Sequence, residues 1–315
     1  MGMTIERLLP LLEHPELHPD EPIAGTYGLE PINTGRGSDG QHYARVRVFD
    51  YTGATSVFLR HAEWQPQTTG LTPQHECNMA FTFQRGRHGN MVPLAVPAHG
   101  LAVPQRSPLE LLPGHVTPDL NDLAHLLDLA KSLQTPGLRW FLESVFSNRD
   151  FAKAFVTMPA AKKCHHAVPG GLLSHSLEVA TGVKVVVNAM PSNRIMDDAA
   201  IVVALLHDVG KVTLAQDNEN RVPCLARDHG SLIQYALQDS LAYISRVDRD
   251  AHDALWRIIQ AYQTGQHYDV PLATLIKAAD SVSAQADALS RGPQEKDRYW
   301  QTACGGKPIW RPPQY

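Results

Sequence analysis

The sequence predicts an α+β protein in which a small β domain, a barrel or a sandwich, precedes a nearly all-α domain. Three observations carry this. Residues 41–96 alternate apolar and polar side chains with a period of two, residues 97–119 hold five prolines, and from Asp119 onward leucines and alanines recur at helical spacing.

Taken in order, residues 4–13 (TIERLLPLLE) predict a short helix with Thr4 as N-cap. Residues 18–40 are rich in Pro, Gly and Asp and are expected to be loop. In HYARVRVFD, Ala44, Val46 and Val48 alternate with Arg45 and Arg47. The two arginines therefore share one face and the two valines the other. Tyr51-Thr52-Gly53 is a turn into a second alternating run, ATSVFLRH, so 42–61 reads as a hairpin. CNMAFTFQRGR and MVPLAV give two further strands across a Gly-containing turn. The prolines of 97–119 make a semi-rigid linker, and the boundary falls there, giving domains 1–110 and 111–315. Beyond it, 119–133, a segment starting at 135, 172–190, 197–207, 229–247, 251–263 and 271–290 read as helices. Residues 292–315 are expected to form a tail without regular structure, or an arm that docks through Trp300 and Trp310.

Composition narrows the class. A hydrophobic fraction of 43% supports a packed core, and a net charge of −4 argues against a large non-specific nucleic-acid footprint, though not against a local basic groove. The cysteines, Cys77, Cys164, Cys224 and Cys304, form no C-x-x-C pair, which speaks against structural zinc and for reduced thiols in a cytoplasmic protein. No signal peptide and no apolar run of membrane-spanning length is present, so no membrane partner is expected. Histidine is in surplus, with sixteen residues, which points to metal chemistry.

Three stretches hold a candidate metal site: His175 in GGLLSHSLEVA, His207-Asp208 in ALLHDVGK, and Asp280 in IKAADSVSAQAD. Each lies at or near the end of an apolar helical run, from which a side chain can point into a cavity between helices. Two imidazoles and two carboxylates suit Mn²⁺, Mg²⁺, Fe²⁺ or Zn²⁺ and leave positions open for water. Such an ion makes a bound water nucleophilic near neutral pH and neutralises a phosphate oxygen. A His-Asp dipeptide alone is common; here it ends the buried run AIVVALL, Gly210 permits a tight turn after it, and Lys211 adds a cation for phosphate.

A His, then His-Asp-x-Gly-Lys, then a distant Asp resembles the HD superfamily of metal phosphohydrolases, with His175, His207, Asp208 and Asp280 in the four ligand positions. The run FVTMPAAKKCHHAVPGGLLSHSLEVA resembles more closely the opening of the HD domain in bacterial 3′–5′ exoribonucleases of the YhaM type. That family carries an OB-fold ahead of the HD domain, and RVRVFDYTGATSVFLRHAEW is similar to an OB strand pair with its Asp-x-Thr-Gly turn. The resemblance implies an OB-like barrel followed by an all-α HD-type domain. It also implies a metal-dependent 3′–5′ exonuclease, with Mn²⁺ the favoured ion, acting on single-stranded RNA or DNA through a metal-activated water. Asp208 and Lys211 would be catalytic, His166 a proton donor or phosphate contact, and His165 its neighbour at the site. His229 stands where two-metal relatives carry another histidine. Tyr262-Gln263 stand where the family has histidines, so either His267 substitutes or a second metal site is incomplete. On the OB domain, Arg45, Arg47 and Arg60 would contact phosphates, and Phe58 and Trp64 would stack on bases.

The same His-His-Ala…Gly-Gly-Leu-Leu…His opening is similar to that of MobH-class conjugative relaxases, which makes a DNA-processing nuclease of a mobile element the second reading. A nucleotidase acting on small phosphate esters is the third, and a single-strand binding module on an HD scaffold the fourth. A homo-oligomer is compatible with each.

Overall fold

The structure is a computed structural model describing residues 3–14, 23–37, 40–60, 76–85, 91–98, 103, 105–161, 166–219, 232–265, 270–291, 300–302 and 308–310. It divides into two compact units, Met1–Leu123 and Ala124–Tyr315.

The first unit is a closed five-stranded barrel. Its strands are β1 (Ile23–Arg36), β2 (His42–Asp50), β3 (Gly53–Arg60), β4 (Glu76–Arg85) and β5 (Met91–Pro97). The order around the barrel is β1-β2-β3-β5-β4, antiparallel except where β5 closes in parallel against β3. This is the OB-like barrel the sequence implies. In β2, Ala44, Val46 and Val48 face the core and Arg45 faces solvent, as alternation requires.

Residues 23–36, expected to be loop, are instead the longest strand. The glycines that suggested loop are there because the barrel needs close approach: a Cβ at Gly28 would meet the Phe49 ring at 2.4 Å. Pro31 sits beside the register shift between Pro31 and Asn33, a tolerated place for a residue without an N–H.

Helix α1 (Ile5–Glu13) contributes Ile5 and Leu8 to the barrel core, beside Tyr27 and Phe81. Thr4 is its N-cap residue but makes no side-chain cap bond. The first-turn N–H groups are satisfied by the β2–β3 turn: Ile5 donates to Asp50 Oδ2 at 3.0 Å and Glu6 to Thr52 Oγ1 at 3.1 Å. Asp50 Oδ1 also accepts from the Thr52 N–H and hydroxyl. Arg106 completes the cluster, donating to Asp50 Oδ2, Thr26 O and Glu110 O.

The proline-rich stretch is correspondingly not an open linker. It carries two 3₁₀ turns, Pro108–Leu111 and Gly114–Val116, and buries Leu109, Leu111 and Leu112. A Cβ at Gly114 would lie 2.7 Å from Asp50 O, so only glycine lets the chain pass this close to the β2–β3 turn.

The second unit is helical: α2 (Leu120–Ser132), α3 (Pro136–Ser147), α4 (Arg149–Thr157), α5 (Gly171–Ala189), α6 (Arg194–Leu206), α7 (Gly210–Glu219), α8 (Ile233–Ala236), α9 (Gln238–Val247), α10 (Arg249–Thr264) and α11 (Pro271–Arg291). The described part of α2 before Ala124 belongs to the first unit. Helices α4 and α7 lie outside the segments expected to be helical, and Gly210 opens α7 rather than making a turn. Helix α6 is the hub. It packs against α5, α10 and α11, and every residue from Asp198 to Leu206 is buried, as an all-round apolar helix must be. Buried Asp198 is satisfied by the Gln134 and Thr135 N–H groups and the Thr135 hydroxyl, which tie the α2–α3 turn to α6. Near the C-terminus, where no regular structure was expected, β6 (Trp300–Thr302) pairs antiparallel with β7 (Pro308–Trp310). No described helix is both long and apolar enough to cross a membrane.

Candidate metal centre

His175 lies near the start of α5, His207 caps the end of α6, Asp208 follows it, and Asp280 lies midway along α11. The packing of α5 and α11 against α6 brings the four together. The ligand atoms of His175, His207 and Asp208 lie within 4.8 Å of one another. Asp208 Oδ2 is 3.6 Å from His175 Nε2 and 3.5 Å from His207 Nε2. Asp280 Oδ1 stands 3.1 Å from His175 Nε2 and 3.7 Å from His207 Nε2. His175, His207 and Asp208 are buried, whereas the Asp280 side chain is 35% exposed and marks the side open to solvent.

Burial alone would push the His207 imidazole toward its neutral form, but Asp208 and Asp280 outweigh it and raise its pKa. Burial likewise would raise Asp280; the close approach of the His175 and His207 rings, and their charge, instead hold it far below the carboxylate range. A cation, proton or metal, is thus what the cluster stabilises. The His207 tautomer favours a metal: its Nδ1–H donates to Ala204 O at 2.7 Å, leaving a buried Nε2 with no hydrogen-bond partner. The donor set and this orphaned nitrogen fit a divalent ion, and the group His175/His207/Asp208 can hold one.

Lys211 donates to Asp208 Oδ2, placing its ammonium on the oxygen that the two imidazoles face. His166 is buried in a left-handed conformation (φ 49°), its N–H donating to Asp287 Oδ2 at 2.8 Å. A Cβ at Gly171 would lie 2.0 Å from His166 O, so glycine there lets the loop fold onto the start of α5. The His166 ring is 5.3 Å from that of His175, and its Nε2 is 3.3 Å from Glu178 Oε2. Tyr262 packs edge-on against His207, ring centroids 6.1 Å apart, with Lys277 Nζ 5.3 Å from its ring centre. His165, His229 and His267 lie outside the described residues.

Two neighbours escaped the sequence reading: Glu178, three residues after His175, and Ser283, three after Asp280. One-turn spacing from each ligand is the signal that could have found them.

On the barrel, Arg45 pairs across β2–β3 with Phe58, and Tyr43 with Arg60, so these four side chains share the outer face. Phe58 is 39% exposed and Arg60 exposed, while Arg45 also reaches Ser56 Oγ at 3.3 Å. Arg47 is engaged by Glu30 at 3.0 Å, which His115 also contacts. Trp64 lies outside the described residues.

Residues 116–219 match the TraI_2 family model, described as "Putative helicase". The match covers about a third of the chain; it includes His175, His207, Asp208 and Lys211 and ends before Asp280. Neither curated proteins nor solved structures give a match.

Proposed function

We propose that the chain is a metal-dependent phosphodiesterase that processes DNA for a conjugative or other mobile element, a MobH-like nuclease. The observation that carries this reading is the overlap of the TraI_2 match with the segment that supplies His175, His207 and Asp208.

The proposed ion is Mn²⁺, with Mg²⁺, Fe²⁺ or Zn²⁺ compatible with the same donors. When bound, it supplies Lewis acidity toward a phosphate oxygen and a water acidic enough to attack phosphorus. Asp208 and Asp280 provide the anionic half of the ligand set, His175 and His207 the neutral half. Lys211 adds a positive charge suited to the non-bridging oxygens of a phosphodiester. Asp280, on the exposed side, faces the route by which a strand would enter.

A 3′–5′ exonuclease on single-stranded RNA or DNA is the second reading, favoured by the OB-like barrel and its outer face of Arg45, Phe58 and Arg60. The two separate on one gel. Wild type and Asp208→Ala are incubated in Mn²⁺ with supercoiled plasmid and with 5′-labelled single-stranded DNA and RNA. Nicked circles and internal DNA cuts, absent from the variant, are the expected result. A ladder shortening from the 3′ end would select the exonuclease. Intact polymers alongside hydrolysis of free nucleotides would reject both in favour of a nucleotidase.

A further inference from the structure

Behind His175 lies a chain of three side chains. Its Nδ1 is 2.9 Å from Ser283 Oγ, and Ser283 Oγ donates to Glu178 Oε2 at 2.6 Å. Glu178 Oε2 also meets His166 Nε2 at 3.3 Å. His175 and Ser283 are buried, whereas the Glu178 side chain is half exposed. The polarity of this chain is fixed by chemistry. A carboxylate only accepts, so the one hydroxyl hydrogen of Ser283 is committed to Glu178. Ser283 Oγ can then only accept from His175, which places the imidazole proton on Nδ1 and the lone pair on Nε2. That Nε2 is the atom facing Asp208 and Asp280.

The arrangement repeats what His207 achieves by other means, since its Nδ1–H is held by the backbone carbonyl of Ala204. No substitution removes a carbonyl, but the support of His175 is made of side chains. Helical spacing builds it: Glu178 follows His175 by three residues on α5, and Ser283 follows Asp280 by three on α11. The contact of these two helices that joins two ligands therefore also joins their supports.

We propose that Ser283 and Glu178 are positioning residues that hold His175 in the tautomer whose Nε2 faces the metal site; this rests on the metal reading above. Supports of this kind typically change metal affinity ~10–100-fold.

The test is calorimetric titration of Mn²⁺ into the full-length wild type, Ser283→Ala, Ser283→Thr and Glu178→Gln, with melting of each metal-free protein alongside. Ser283→Ala is expected to weaken Mn²⁺ binding ~10–100-fold, and Ser283→Thr, which keeps the hydroxyl, to restore it. Glu178→Gln keeps the shape, but its amide can donate to Ser283 and turn the hydroxyl toward His175, so it should bind as poorly as Ser283→Ala. A purely structural role would lower metal-free melting and give Glu178→Gln near-normal binding. If Ser283→Ala or Glu178→Gln binds Mn²⁺ as the wild type does, or threonine fails to rescue, the inference falls while the metal reading stands. A wild type that takes up no Mn²⁺ overturns the metal reading, and this inference with it.

Discussion

Each half of the chain buries a cluster of charge, and the two are built on opposite plans. In the barrel, Asp50 is wholly buried and meets only donors: the Ile5 and Thr52 N–H groups, the Thr52 hydroxyl and the Arg106 guanidinium. The cluster is complete in itself and ties α1, the β2–β3 turn and the segment after the barrel into one knot. In the helical unit, buried carboxylate and imidazole acceptors converge on one another, with Lys211 donating to Asp208 at the edge of the group and Asp280 open to solvent. Donors closed around a carboxylate stabilise a fold, whereas acceptors converging on a common point call for a cation from outside.

The sharpest way to break this contrast is to remove one member from each side. Asp208→Ala should lower Mn²⁺-dependent cleavage of DNA by about three orders of magnitude, read as initial rate on labelled strands. Arg106→Ala leaves Asp50 buried without its guanidinium and should cost about 3–5 kcal/mol in urea unfolding, yet leave Mn²⁺ affinity unchanged. If it weakened metal binding, the two clusters would not be independent. Mn²⁺ at about a hundred times its Kd should stabilise the wild type by about 2.7 kcal/mol, and chelation should reverse this; Asp208→Ala should show no such gain. On the barrel, Phe58→Ala should weaken single-strand binding by about 1–3 kcal/mol, measured by fluorescence anisotropy, without altering metal uptake.

The smallest effect concerns pH. The raised pKa of His207 stabilises the metal-free fold fully below the ordinary histidine value of 6.5, and that contribution is lost as pH rises through the higher folded value. The depressed pKa of Asp280 describes the same attraction from the other partner, present above the ordinary carboxylate value and lost only in strong acid. Metal-free melting should therefore decline as pH is raised above 6.5, while Mn²⁺ affinity climbs over the same interval because ion and proton compete. A flat melting profile would remove the imidazolium from the account.

Much of this was legible in sequence because the responsible patterns are local. Alternation in β2 and β3 exposed a hairpin, and the apolar run ending in His207-Asp208 exposed a buried helix carrying candidate ligands. What was missed depends on distant partners. Gly28 looks like loop until Phe49 packs over it, and the prolines of 97–119 look like linker until Arg106 reaches Asp50, 56 residues away. The support of His175 by Ser283 spans 108 residues, and Ser283 carries no mark of its role except its spacing from Asp280. Local pattern gives the candidate ligands; the packing of α5 against α11 brings Ser283 to His175.

Metal content and Mn²⁺ titration of purified wild type, beside His207→Ala and Asp208→Ala, test most directly whether His175, His207, Asp208 and Asp280 hold a divalent cation. Tight uptake by the wild type, lost in both variants, is the predicted result. Uptake unaffected by either substitution, or none by any of the three proteins, would contradict it.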